Sequence, residues 1–293
     1  MKKLLVVSTL AITIVVLLSA CHAKQSQPTE EEVEKIVVAW FLQKHHADAA
    51  VTGSSPLQVG EKTWYTRVNV TVQGEPYELV LDGKNEPVAD NVDCCAVIRT
   101  LAEQQAGGLD PIKPCSDMEI DLFPSFSYVD GSYRYVSVCD VAIDTIPERA
   151  SEDGWQQFAQ TLNGMGIDEL WISIVTPEFL RSHGPLQLAG KAFDTGDTRE
   201  AFARRFSELI DSIHWDEQKF SAKLRALRDA GIRDPRFCVS GWASGTTLEI
   251  ALSYEPGENG ANAADLLADM DDSYFSISGR EVTYVVNTEE PAS

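Results

Sequence analysis

Apolar positions along the chain recur at two spacings, and the switches between them lay out the elements. Thr29-Glu30-Glu31-Glu32 sets a hydroxyl three residues before a carboxylate, the form of a capping box. Val33, Ile36, Val37, Trp40 and Phe41 follow at helical spacing, so a helix is predicted from Glu30 to His46. A Gly-Ser-Ser-Pro loop comes next. Trp64, Val68, Val70 and Val72 then mark an alternating strand, Gln73-Gly74 turns the chain, and Tyr77, Leu79 and Leu81 alternate on the return. Such a pattern predicts a hairpin.

A second unit begins at Asp93, an N-cap candidate for a helix through Gln105 that Gly107-Gly108 would end. Strands are predicted near Met118–Tyr128 and Tyr133–Ile143 around the turn Asp130-Gly131. Then come a helix near Glu152–Leu162, a buried strand at Glu169–Val175, and helices over Thr198–Ile213 and Asp216–Ala230, the latter stopped by Gly231. Leu248, Ile250, Leu252 and Tyr254 alternate as a strand, Ala261–Met270 is helical, and a last hairpin pairs Tyr274–Ile277 with Val282–Asn287. Helices interleaved with antiparallel β-hairpins imply an α+β fold in two modules. The polar Gly83–Asp93 segment is the expected hinge and first site of nicking.

The N-terminus has a layout of its own. Met1-Lys2-Lys3 precedes an uncharged apolar run from Leu4 to Leu18, then Leu18-Ser19-Ala20-Cys21. This is the arrangement of a signal peptide, with an uncleaved anchor as the alternative, since Leu4–Ala20 lies at the short edge of a spanning helix. Leu-Ser-Ala-Cys resembles the lipobox of bacterial lipoproteins. The resemblance implies a diacylglyceryl group on the Cys21 thiol, cleavage between Ala20 and Cys21, and an acyl chain of the palmitate class on the new amine. With His22 rather than Asp after the cysteine, it also implies the outer membrane where the organism has one, and otherwise the outer face of the cell membrane. Two or three chains hold a protein stably where one would not. The helix, hairpin and Asp82-Gly83 resemble the small modules of the PepSY and cystatin-like type. The expected organisation is a signal peptide at 1–20, lipidated cysteine and flexible tether at 21–32, a helix-plus-hairpin module at 33–85 and a larger α+β domain at 91–290.

Composition narrows the function. Hydrophobic residues at 44% and charged residues at 24% are those of a globular chain, neither disordered nor multi-spanning. The formal charge is −21, and removal of the leader takes Lys2 and Lys3 but no acid, making the balance more negative still. Nucleic acid is thereby excluded as a partner, and one with a basic face is favoured.

Candidate chemistry is sparse. Apart from Cys21 the cysteines are Cys94, Cys95, Cys115, Cys139 and Cys238, without a Cys-x-x-Cys. In an oxidising compartment two structural bridges and a spare thiol are the simplest expectation, with buried free thiols in a reducing niche as the alternative. The five histidines, at 22, 45, 46, 183 and 214, show neither an i, i+4 pair nor a His-Glu-x-x-His, so no metal site is expected. His45-His46 suit a helix C-terminus, where imidazolium meets the negative end of the dipole. Gly241-Trp242-Ala243-Ser244-Gly245 lacks the Gly-x-Ser-x-Gly spacing of a serine-hydrolase elbow. Asp269-Met270-Asp271-Asp272 has Tyr274 where a calcium loop needs glycine. The residues therefore assign no catalytic group and no cofactor. They point to a lipid-anchored envelope protein that binds or assembles a partner, with an exported hydrolase built from dispersed residues as the alternative.

Overall fold

The computed structural model of the chain describes residues 29–59, 63–104, 109, 113–115, 118–129, 131–181, 184–243, 245–255 and 263–287. The fold is α+β and divides into two compact units. Of the described residues, the first holds those up to Asp93 together with Phe126–Tyr135, and the second holds the others.

In the first unit, helix α1 (Glu30–His45) starts at the predicted box: Thr29 Oγ1 accepts the Glu32 N–H while Glu32 Oε2 accepts the Thr29 N–H at 2.9 Å. Its Val33, Val37 and Phe41, four residues apart, are buried with Val68, Val70, Leu79 and Leu81 from one face of an antiparallel sheet. That sheet is the meander β1 (Ala49–Val59), β2 (Thr63–Val72), β3 (Glu75–Leu81) and β4 (Pro87–Asp90). The Gly-Ser-Ser-Pro segment expected to be a loop lies inside β1. As an edge strand β1 tolerates a proline, and a bulge between Val51 and Gly53 absorbs the irregularity. The hinge expected over 83–93 is largely structured too, since it contains β4, and Asp90 and Asn91 are buried. On the sheet's other face, Tyr65 meets Phe126 and Tyr133 at 5.8 and 5.3 Å between ring centroids, and the Tyr135 hydroxyl donates to Glu78 at 2.7 Å.

The second unit begins within α2 (Val92–Gln104). One sheet is ordered β5 (Glu119–Val129), β6 (Ser132–Ile143), β7 (Glu169–Val175), β8 (Gln187–Asp194). Helix α3 (Glu152–Gly164) carries the chain from β6 to β7, which run parallel, so one single-helix crossover joins the hairpins. Thr198 caps α4 (Arg199–Ile210), and Asp216 caps α5 (Glu217–Asp229). The first ends at Ile210 and not at the expected Ile213, which instead opens the short strand β9 (Ile213–Trp215). A second sheet joins β10 (Arg233–Ala243) to β11 (Thr247–Glu255) antiparallel, then β11 to β13 (Glu281–Val286) in parallel. Helix α6 covers Ala263–Leu267, so the helix predicted to Met270 ends earlier, and 261–262 lie outside the described residues.

The expected final hairpin does not form. Strand β12 (Phe275–Ile277) pairs instead with β9, Phe275 stacking on Trp215 at 5.9 Å, while β13 joins β11. Alternation identified these two strands, but it carries no information about the partner of each. Phe220 of α5 joins the core of this unit against Phe237 of β10, while Trp155, Phe158 and Leu162 of α3 pack with Phe202, Phe206 and Leu209 of α4. They close over Cys139, Val141, Leu170 and Ile172 of the first sheet.

Candidate functional site

Ala20, Cys21, His22, His183 and Ser244 lie outside the described residues. His46 takes the left-handed C-cap of α1 (φ 52°) and is exposed, as is His214 on β9. Asp269 pairs with Lys223, and Asp271 accepts the Ser273 N–H at 3.0 Å, so both serve local structure. Among the described residues no group of three or more His, Cys, Asp or Glu is placed to hold a metal.

Cys139 faces the core and Cys238 is half-buried, both as thiols. Three other cysteines remain after Cys21, which can form one bridge at most, so the expectation of two bridges fails. Burial, with the nearby charges of Asp140 and Asp121, pushes the Cys139 thiol up to about 12. A thiol held protonated and out of water is inert. Iodoacetamide is expected to spare Cys139 in the native protein and to label it only in denaturant; rapid native labelling would contradict this packing.

His45, scattered in sequence, finds a partner in the first unit. Asp90 on β4 faces α1 with a side chain at 0% exposure. Its Oδ2 accepts from Trp40 Nε1 at 2.7 Å and Lys44 Nζ at 2.9 Å, while Oδ1 meets His45 Nε2 at 3.0 Å and the Val92 N–H at 3.2 Å. Both carboxylate oxygens are thus fully engaged. The spacing of Trp40, Lys44 and His45 on one helical face was legible; their common acceptor, 45 or more residues on, was not.

The second unit presents a different grouping on the side of the β5–β8 sheet turned away from the core. Leu170, Ile172 and Ile174 of β7 face the core, so Trp171 and Ser173 face outward, in register with the small residues Ala192 and Gly190 of β8. On β6, Cys139 and Val141 point inward, leaving Asp140 beside Trp171 on the outer side. Phe123 of β5 meets Trp171 edge to face at 5.6 Å and 81°. These strands flank β6, and two strands apart is about 9.6 Å, so the two rings lean together over β6. Glu169 orients the indole by accepting its Nε1–H at 2.7 Å.

Asp140 is half-buried among these groups, with Ser173 Oγ at 3.5 Å. Burial pushes its pKa up, opposed by the bonds from Ser173 and the Val141 N–H and reinforced by the charge of Asp121, which is exposed. The net shift is upward, so ionised Asp140 is held at a cost that a bound cation would relieve. Two carboxylates beside two aromatic rings form a notch suited to an ammonium or guanidinium group, which gains both charge pairing and a cation–π contact. No single stretch of sequence contains this notch; its residues come from three strands.

The chain matches no protein family, curated protein or solved structure with which it was compared.

Proposed function

We propose that the protein is a lipid-anchored component of the bacterial cell envelope, acylated on Cys21 after cleavage at Ala20, whose folded part captures a partner bearing basic side chains. The anchor rests on the Leu18-Ser19-Ala20-Cys21 motif and the polar tether behind it. The binding function rests on one observation: Asp121 and Asp140 lie beside the edge-to-face rings of Phe123 and Trp171 on an outward sheet surface. A formal charge of −21 adds long-range steering toward a cationic partner, which salt would weaken.

The His45–Asp90 pair supports binding over catalysis, because that carboxylate is sealed from solvent and engaged by four donors. A second reading draws on the raised pKa of Asp140, which has the carboxylate of Asp121 nearby: a carboxyl whose pKa is pushed up by burial can also serve as the general acid of a hydrolase. The two readings differ in what residue 123 touches. A photo-crosslinking amino acid at Phe123 is expected to trap one protein partner through a Lys- or Arg-bearing segment, while the same probe at exposed Glu200 on α4 traps none. The same adducts from both positions, or no protein adduct from 123, would contradict the proposal.

A further inference from the structure

A cavity of about 330 Å³ opens in the second unit, separate from the notch. Its walls come from four elements: Phe179 from the 3-10 turn Glu178–Leu180, Leu224 and Arg228 from α5, Arg236 and Phe237 from β10, and Ser253 from β11, with Arg181 just after the turn. Phe179 and Phe237 both pack against Phe220, at 5.6 and 5.4 Å, which fixes them as a rigid apolar floor. Leu224 and Arg228 are four residues apart, so one helical face supplies both an apolar wall and a cation.

Three arginines and one acid, Asp234, line the polar side of the cavity, in a chain with nearly twice as many acids as bases, 45 to 24. Arg236 is paired with Asp234, and Arg181 with Asp144 at 3.5 Å while also donating to the Thr176 carbonyl at 3.1 Å. Arg228 is exposed and, among the described residues, has no carboxylate within ion-pairing distance, so the mouth keeps an uncompensated positive charge. The backbone beside it is unusual as well. Asp234 has φ 44°, although it precedes Pro235, which disfavours that conformation, and the β10–β11 register slips between Arg233 and Arg236. Strain retained at the rim of a charged concavity is what a binding site shows.

We propose that this cavity binds a small organic acid, its carboxylate held at the arginine mouth and its apolar body on the phenylalanine floor. Guanidinium matches a carboxylate with two parallel hydrogen bonds, and a 330 Å³ space is at the lower end of small-ligand pockets, about 300–1,000 Å³. Both halves of the ligand are needed: the floor selects an apolar body, and the mouth selects a negative charge over a neutral amide.

Calorimetry on the full-length protein in phospholipid nanodiscs, with empty nanodiscs as the blank, tests this with three probes. 4-Phenylbutyrate is expected to bind saturably, at least about tenfold tighter than 4-phenylbutanamide, which lacks the charge, or acetate, which lacks the apolar body. Arg228→Gln should weaken 4-phenylbutyrate about tenfold or more. Arg225→Gln, on the same helix but outside the cavity, should leave it unchanged. Equal affinity for acid and amide, equal loss from both arginine variants, or no saturable binding of the acid would overturn the proposal.

Discussion

Asp90→Ala is expected to destabilise the first unit by about 3 kcal/mol, the low end for breaking a buried pair by removing one partner. The substitution takes away the acceptor for Trp40 Nε1, Lys44 Nζ and His45 Nε2 at once. Lys44, at 42% exposure, recovers water, which keeps the loss from being larger; His45, at 15%, recovers little. Asp90→Asn keeps the shape and loses the charge, so it should cost less, about 1–2 kcal/mol. Urea unfolding followed by tryptophan emission measures both, and a loss below 0.5 kcal/mol for Asp90→Ala, on the order of a neutral surface change, would contradict this anchor.

The same residue sets an acid dependence. Burial alone would raise the Asp90 pKa, but hydrogen bonds from Lys44, Trp40 and His45, with the charge of Lys44, outweigh it and hold the pKa below the ordinary carboxylate value. A lowered folded pKa contributes stability that is present above the unfolded value of about 3.9 and is lost as the pH falls through the folded one. Wild type and Asp90→Asn should therefore converge in stability on acidification below about pH 4. Parallel curves would show that Asp90 titrates normally.

Cys21→Ser is expected to abolish lipidation outright, because thioether formation needs a thiolate and serine has none to offer. The variant should accumulate as precursor, incorporate no labelled fatty acid and keep its leader, while wild type carries label and begins at Cys21. No lesser loss is expected, since two or three acyl chains make anchoring effectively complete and their absence removes it. Equal labelling of both forms, or a mature N-terminus elsewhere, would contradict the assignment.

The local elements were legible because their signals are local. Thr29 through Phe41 carries cap and stripe together, and Thr198 and Asp216 announce the helices they cap. What escaped depends on partners distant in the chain. Strand β1 hid because Gly53 and Pro56 look like a loop until an edge position and a bulge make them tolerable. Phe275–Ile277 and Glu281–Val286 read as a hairpin, although one pairs with β9 and the other with β11. The functional groups behave alike. Phe123, Asp140 and Trp171 meet because β5, β6 and β7 are neighbours, an order that alternation cannot reveal. An acid inside the apolar run Val138–Ile143, Asp140 between Cys139 and Val141, was the one signal that could have flagged the notch.

Charge position, as distinct from total charge, separates capture by the notch from attraction to an acidic protein in general. In cells carrying the photo-crosslinker at Phe123, Asp121→Asn with Asp140→Asn removes two acids at the notch, whereas Glu200→Gln with Asp211→Asn removes two from exposed positions beside α4. Adduct yield from residue 123 is expected to fall by about tenfold or more in the first pair, the loss of two charge-assisted contacts, and to stay near wild type in the second. Equal yields from the two pairs would mean that the notch does not hold the partner, and would contradict the binding function proposed for this protein.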